Sequence, residues 1–139
     1  MTRLVLDTNV VVAGLLWLGP PRRLVDQAIE RHFELFSSAA LIDELTRTLG
    51  YPKFAQRMAQ YDTNAAILVA QYQALTYLLT PTHIPRVVPR DADDDQVIAC
   101  AVAAQADLIV TGDRHLLELG GFRGISIVKP AEALEFIGQ

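Results

Sequence analysis

Cysteine is almost absent: Cys100 is the one thiol in 139 residues, so no intrachain disulfide can form and a cross-linked secreted scaffold is excluded. It stands in the small apolar stretch Val97-Ile98-Ala99-Cys100-Ala101, which makes it a packing thiol rather than a nucleophile. Long hydrophobic runs are also missing. No stretch reaches the roughly 18 apolar residues of a membrane span. Met1-Thr2-Arg3 passes straight into a strand-like segment that ends in an acid, so a cytoplasmic protein without a signal peptide is expected. Nor is there an excess of positive charge. Lys and Arg number 12 against 16 Asp and Glu, a formal charge of −4, so a protein that grips nucleic acid by bulk charge is excluded. Any polyanionic substrate then needs a bound cation or a local basic patch. Internal repeats, low-complexity tracts and linker-like segments are lacking. With 51% apolar and 20% charged residues the chain is not a disordered one, and its length suits one domain over 1–139.

What is present is an alternation of short apolar runs with helical patterns. Leu4-Val5-Leu6 reads as a buried strand opening onto Asp7-Thr8-Asn9. A first helical region follows, and Pro20 and Pro21 suit the first turn of the helix that carries Leu24, Val25, Ala28 and Ile29. Phe33 to Phe36 reads as a second strand. Ser37 or Ser38 then caps a helix with Leu41, Leu45 and Leu49 on one stripe and Glu44 near its middle, stopped by Gly50 and Pro52. From Phe54 to Leu79 the pattern is helical, in two helices divided near Asp62, with Thr63 or Asn64 capping the second. Tyr61, Tyr72 and Tyr77 on this arm read as packing or interface residues. Residues 80–89 read as loop, with at most a short strand at Val87-Val88. Asp91 to Asp95 lead into a helix ending near Ala104, and Leu108 to Thr111 form a third buried strand that stops at Gly112-Asp113. Ile125 to Val128 form the last strand, and Pro130 opens a terminal helix. Unalternating strands between helices predict an α/β fold with a mainly parallel sheet covered on both faces. Such sheets bind ligands beyond the carboxyl ends of their strands.

That rim is where the acids fall. Asp7 ends the first strand, Asp113 follows the third, and Asp95 lies in the first turn of the helix that feeds it, while Glu44 can lean over from its own helix. Grouped carboxylates repel one another unless a cation neutralises them. Oxygen ligands without a His or Cys set favour Mg²⁺ or Mn²⁺ over zinc. Phosphodiester hydrolysis is the natural chemistry of such a centre, with Thr8, Asn9 and Thr111 orienting waters or carboxylates around it. Each acid also has a plainer reading. Asp7 alone would be a helix cap, Glu44 a surface residue, and the acids at 91 to 95 a solvated helix start. Asp94 reads as the helix cap and Asp91 as a loop acid, although Asp93 or Asp94 could supply or share the ligand role of Asp95.

With those residues in place, the sequence resembles the PIN-domain ribonucleases, and more narrowly the VapC-like toxins of bacterial toxin–antitoxin pairs. Leu4-Val5-Leu6-Asp7-Thr8-Asn9-Val10 resembles the family's first motif, Glu44 in Leu41-Ile42-Asp43-Glu44-Leu45 its helix glutamate, Asp91 to Ala101 its third motif with Asp95 as ligand, and Thr111-Gly112-Asp113 its fourth. The resemblance runs from Arg3 to about Pro130. It implies an α/β/α sandwich, metal-dependent endoribonuclease activity at Asp7, Glu44, Asp95 and Asp113, a homodimer, and neutralisation by a small cognate antitoxin that covers the site. RNA contacts are poorly marked. Arg114 and His115, directly after Asp113, are the best candidates among Arg22, Arg23, Arg86, Arg90, Arg114 and His115. His32 and His83 belong to no metal-ligand spacing.

Three rivals remain. A receiver domain also carries acids, a strand-end Thr and a late Lys-Pro such as Lys129-Pro130, but it needs an Asp ending its middle strand and none occurs between Asp43 and Asp62. A silent PIN scaffold acting only as a binding module would be marked by loss of one of the acids, and all are present. A phosphatase or flap-type nuclease would share the metal chemistry.

Overall fold

The computed structural model describes residues 1–86 and 92–138. Its short apolar runs become the strands β1 (Arg3–Leu6), β2 (Glu34–Ser38), β3 (Thr76–Leu79), β4 (Leu108–Val110), β5 (Gly121–Phe122) and β6 (Ile125–Val128). They form one sheet in the order β3-β2-β1-β4-β6-β5. Every pairing is parallel except the β5–β6 hairpin. Around it lie α1 (Thr8–Leu16), α2 (Pro20–Ile29), α3 (Ala39–Leu49), α4 (Pro52–Gln60), α5 (Ala65–Leu75), α6 (Ala92–Ala104), α7 (Arg114–Leu119) and α8 (Pro130–Ile137). Among the described residues no helix is long and apolar enough to cross a membrane.

Both faces of the sheet are dry, which is why its strands do not alternate in polarity. Leu4, Leu6, Leu35, Leu108 and Val110 point to one face, into a core shared with α1 to α5 and α8. Val5, Phe36, Ile109 and Ile127 point to the other, against Val97, Ile98, Cys100 and Ala101 of α6 and Leu116 of α7. Successive residues of one strand thus feed opposite cores, as the pleat requires. The result is the expected α/β/α sandwich. Several boundaries follow the expected signals: Ser38 caps α3 by accepting from Leu41 N–H, Asn64 caps α5 through Ile67 N–H, and prolines open α2 and α8, while Pro52, expected only to stop α3, opens α4.

Chain order and spatial order diverge at two places: β6 lies between β4 and β5, and the chain reverses its winding at β1. From β1 the chain builds outward through β2 to β3, then returns to lay β4 on the other side of β1. The carboxyl ends of β1 and β4 therefore flank the reversal of winding, the position where open parallel sheets leave a crevice. Leu6 pairs with Val110 in that register, so the next residues, Asp7 and Thr111, leave the sheet side by side.

Two expectations need correction, and two elements lie where none was expected. Thr76 to Leu79, read as helix, are an edge strand. Thr76 adopts an extended conformation (φ −110°, ψ 155°) and its hydroxyl donates to Gln73 C=O, which ends α5. The helical apolar pattern runs on past that point, and only pairing of Leu35 to Ser38 with Thr76 to Leu79 decides the matter. Residues 114–119, to which the sequence assigned no element, form α7. A hairpin strand, β5, precedes β6 across Arg123 (φ 49°) and Gly124 (φ 83°), the two positive φ angles of a tight primed turn. Asp94 is not the cap of α6 but lies inside its first turn, 3% exposed. Val87-Val88, Arg90 and Asp91 lie outside the described residues.

Candidate metal and nucleic-acid site

Asp7 sits where β1 becomes α1, so its backbone is tied to the sheet by Asp7 N–H donating to Val110 C=O at 2.9 Å. Its side chain is 5% exposed and held at both oxygens. Oδ1 accepts from Thr8 N–H at 2.8 Å and Oδ2 from the Thr111 hydroxyl at 2.7 Å. Thr111 has no exposed surface, and its Oγ1 also accepts from Asp113 N–H at 2.9 Å. Asp113 in turn caps α7, with Oδ1 accepting from His115 N–H at 2.7 Å and Leu116 N–H at 3.4 Å. One hydrogen-bonded chain thus joins the ends of β1 and β4 to the start of α7. Both strand-end acids are helix caps, so the plainer reading of each is also correct, and a carboxylate with about four acceptor positions can cap a helix and still face a ligand.

α6, whose first turn carries Asp93, Asp94 and Asp95, covers the face of the sheet opposite α1. Arg3, at the start of β1, donates from Nη1 to Ala104 C=O at 2.9 Å, which anchors the end of α6 at the opposite edge of the sheet. At 1.5 Å per residue the first turn of α6 stands about 16 Å away, roughly level with the end of β1. Asp94 and Asp95 are buried there, 3% and 6% exposed, while Asp93 is exposed. The positive end of the helix dipole favours their charge. Glu44 is half-buried in the middle of α3. The Arg47 Nη2 to Asp93 Oδ1 pair at 3.8 Å joins its helix to this turn.

The structure therefore links Asp7, Thr111 and Asp113 directly, and draws α3 to the acidic turn of α6. Among the described residues, no group of three or more His, Cys, Asp and Glu side chains is gathered so that it could hold a metal ion. The donor set around the rim is carboxylate and hydroxyl oxygen. That chemistry fits Mg²⁺ or Mn²⁺ and not a thiolate- or imidazole-preferring ion.

The remaining candidates are scattered. Thr8 is buried and gives its amide to Asp7, whereas Asn9 is exposed on α1. Arg114 and His115 are exposed at the start of α7, with Arg114 Nε 3.6 Å from Glu118. Arg22 pairs with Asp26 along α2, and His32 lies 3.3 Å from Glu30. Arg47 was absent from the expected set, although its position one helical turn after Glu44 was a signal. Of the tyrosines, Tyr72 is buried, Tyr77 packs 5.4 Å from Phe36 between ring centroids, and Tyr61 lies under the Arg57 guanidinium. Burial pushes the Cys100 thiol up to about 12, which marks it as packing and not chemistry.

Known proteins can be set beside this geometry. No curated protein matches the chain. In fold it is similar to a chain in the crystal structure of VapBC2 from Rickettsia felis bound to a DNA fragment from their promoter. That similarity has a TM-score of 0.62 at 11% identity, over 91% of this chain and 97% of that one. At such identity the likeness is one of fold. Residues 3–115 match the PIN-domain family model. That match takes in Asp7, Glu44, the acidic turn of α6 and Asp113 as well as the central strands, and on its strength the chain belongs to the PIN-domain family.

Proposed function

We propose that this protein is a Mg²⁺- or Mn²⁺-dependent endoribonuclease that hydrolyses RNA phosphodiester bonds, and that it is the toxin of a toxin–antitoxin pair. The observation that carries the proposal is the buried carboxylate of Asp7, fixed at both oxygens at the reversal point of the sheet in a PIN-family chain. Asp7, Glu44, Asp95 and Asp113 are the ion-holding residues in this reading. A divalent ion there supplies charge stabilisation to the scissile phosphate and lowers the pKa of water beside it.

The protein's own groups prepare that site. Thr8 N–H and the Thr111 hydroxyl fix the Asp7 plane, so no reorientation is needed when the substrate arrives. Asp113 aligns the start of α7, and with it Arg114 and His115 as RNA-phosphate contacts. With a formal charge of −4, the molecule needs those local cations to receive a polyanion. The fold neighbour belongs to a VapBC complex, and together with the sequence resemblance this supports a cognate antitoxin as protein partner. A homodimer in the cytoplasm completes the reading. Exposed Trp17, Leu18, Tyr77 and Leu78 supply apolar surface for such association.

The test is a panel of Asp7→Asn, Glu44→Gln and Asp95→Asn assayed on RNA and melted in metal-free buffer. Each variant is expected to lose hydrolysis; Glu44→Gln and Asp95→Asn should melt at or above the wild-type temperature because a repelling charge is gone, while Asp7→Asn should melt lower because an amide offers one acceptor oxygen where Thr8 N–H and the Thr111 hydroxyl need two. Strong destabilisation of Glu44→Gln or Asp95→Asn without metal would identify those acids as structural. Full activity in all three would remove the rim from the chemistry.

A further inference from the structure

We infer that Arg47 binds a phosphodiester of the nucleic-acid substrate beside the acidic rim; this rests on the ribonuclease reading and assigns part of its substrate grip. Arg47 lies in the last turn of α3, three residues after Glu44, so the two share a helix face. Its Nη2 is 3.8 Å from Asp93 Oδ1 in the first turn of α6, the turn that also carries Asp94 and Asp95. The guanidinium is thereby held where α3, which carries Glu44, meets the first turn of α6, which carries Asp95.

The character of that pair matters. Its side chains are 60% and 54% exposed, and the contact is long, so water and salt weaken it and it holds the arginine near the rim without locking it there. A phosphodiester offers the planar guanidinium two acceptor oxygens, a stronger match than one distant carboxylate oxygen. Two other arginines are engaged elsewhere: Arg3 pairs with Glu34 and donates to Ala104 C=O, and Arg57 donates to Leu16 C=O and lies over Trp17 and Tyr61. Arg47 is paired with an acid of the first turn of α6, where its positive charge offsets the negative charge that an approaching phosphate adds to the carboxylates.

The test separates binding from hydrolysis. Labelled single-stranded RNA is titrated by fluorescence anisotropy against Asp7→Asn, and against the same variant carrying Arg47→Ala, Arg47→Lys or Arg47→Glu, over a range of salt. Arg47→Ala is expected to weaken binding about tenfold and to lower the salt slope by about one phosphate contact, with Arg47→Glu weaker still and Arg47→Lys recovering part of the loss. The Mn²⁺-induced rise in melting temperature of the single Arg47→Ala variant should equal that of wild type, since the proposed ion-holding acids are untouched. Unchanged affinity and salt slope in Arg47→Ala would overturn the proposal. So would loss of the Mn²⁺ shift, or a salt slope in Arg47→Lys equal to that of Arg47→Ala, because either makes Arg47 a strut between α3 and α6. Arg47-dependent binding with an inactive wild type sinks only the ribonuclease reading. RNA hydrolysis with Arg47-independent binding sinks only Arg47, and absence of both hydrolysis and binding sinks the two together.

Discussion

Thr111 shows how closely stability and chemistry are joined at single side chains. Its hydroxyl donates to Asp7 and accepts from Asp113 N–H with no surface exposed to water. Thr111→Val keeps the volume but strips a buried carboxylate oxygen of its donor, which costs about 1–3 kcal/mol. A lower melting temperature and slower RNA hydrolysis are expected, with Thr111→Ser recovering most of both. Valine without effect on either would show that Asp7 is positioned by its backbone alone. Cys100 and Tyr72 give a pH dependence of defined sign. Burial raises Cys100 from 9.0 to about 12, and burial first, then proximity to Cys100, raises Tyr72 as well. The unfolded chain releases these protons first, so their stabilisation is complete below about pH 9 and is lost as pH rises. Thermal melts between pH 7 and 11 should show a falling melting temperature above pH 9, and a thiol reagent should label Cys100 only after unfolding. The positions of Asp7, Asp113 and Thr111 at the ends of β1 and β4 were legible in the sequence because short apolar runs stop at them. Arg47 was not, because its relevance depends on α3 meeting α6, a contact between residues far apart in the chain.

At the scale of elements, the contact of α1 with α2 rests on a missing side chain. A Cβ on Gly14 would meet Pro21 C=O oxygen and Val25 Cγ2 at 2.8 Å each. Glycine inside a helix ordinarily costs about 1 kcal/mol relative to alanine. Here the clash is with backbone as well as a packed methyl, and overpacking of that kind costs about 1–3 kcal/mol, so the sign reverses. Gly14→Ala should therefore lower stability in chemical denaturation, and a gain would show that the two helices can part without penalty. Helix boundaries with caps were readable, as Ser38, Asn64, Pro20 and Pro130 illustrate. β3 was not. Its burial is only partial, with Tyr77 and Leu78 exposed, so neither a clean alternation nor a buried run distinguishes it from the end of α5. α7 escaped for the opposite reason: Asp113 announces a cap, but a helix of 6 residues leaves too short a pattern behind it.

For the whole molecule, alternation of strands and helices was enough to specify a covered parallel sheet, while the strand order was beyond sequence reasoning because it depends on which side of β1 the returning chain takes. That order sets Asp7 and Thr111 side by side where the sheet reverses its winding. An ion that binds only the folded rim must stabilise the whole fold. Millimolar Mn²⁺ should raise the melting temperature of wild type, and Asp7→Asn should abolish the rise. No shift in wild type would count against a site that exists before substrate binds. The most direct measurement is cleavage of a mixed RNA pool by purified protein in Mg²⁺ or Mn²⁺, with chelation by EDTA, restoration by added ion, and Asp7→Asn purified in parallel. Cleavage that stops with EDTA, returns with the ion and is missing in Asp7→Asn is the expected result. Cleavage that persists in EDTA or in Asp7→Asn would contradict metal-dependent hydrolysis at this rim.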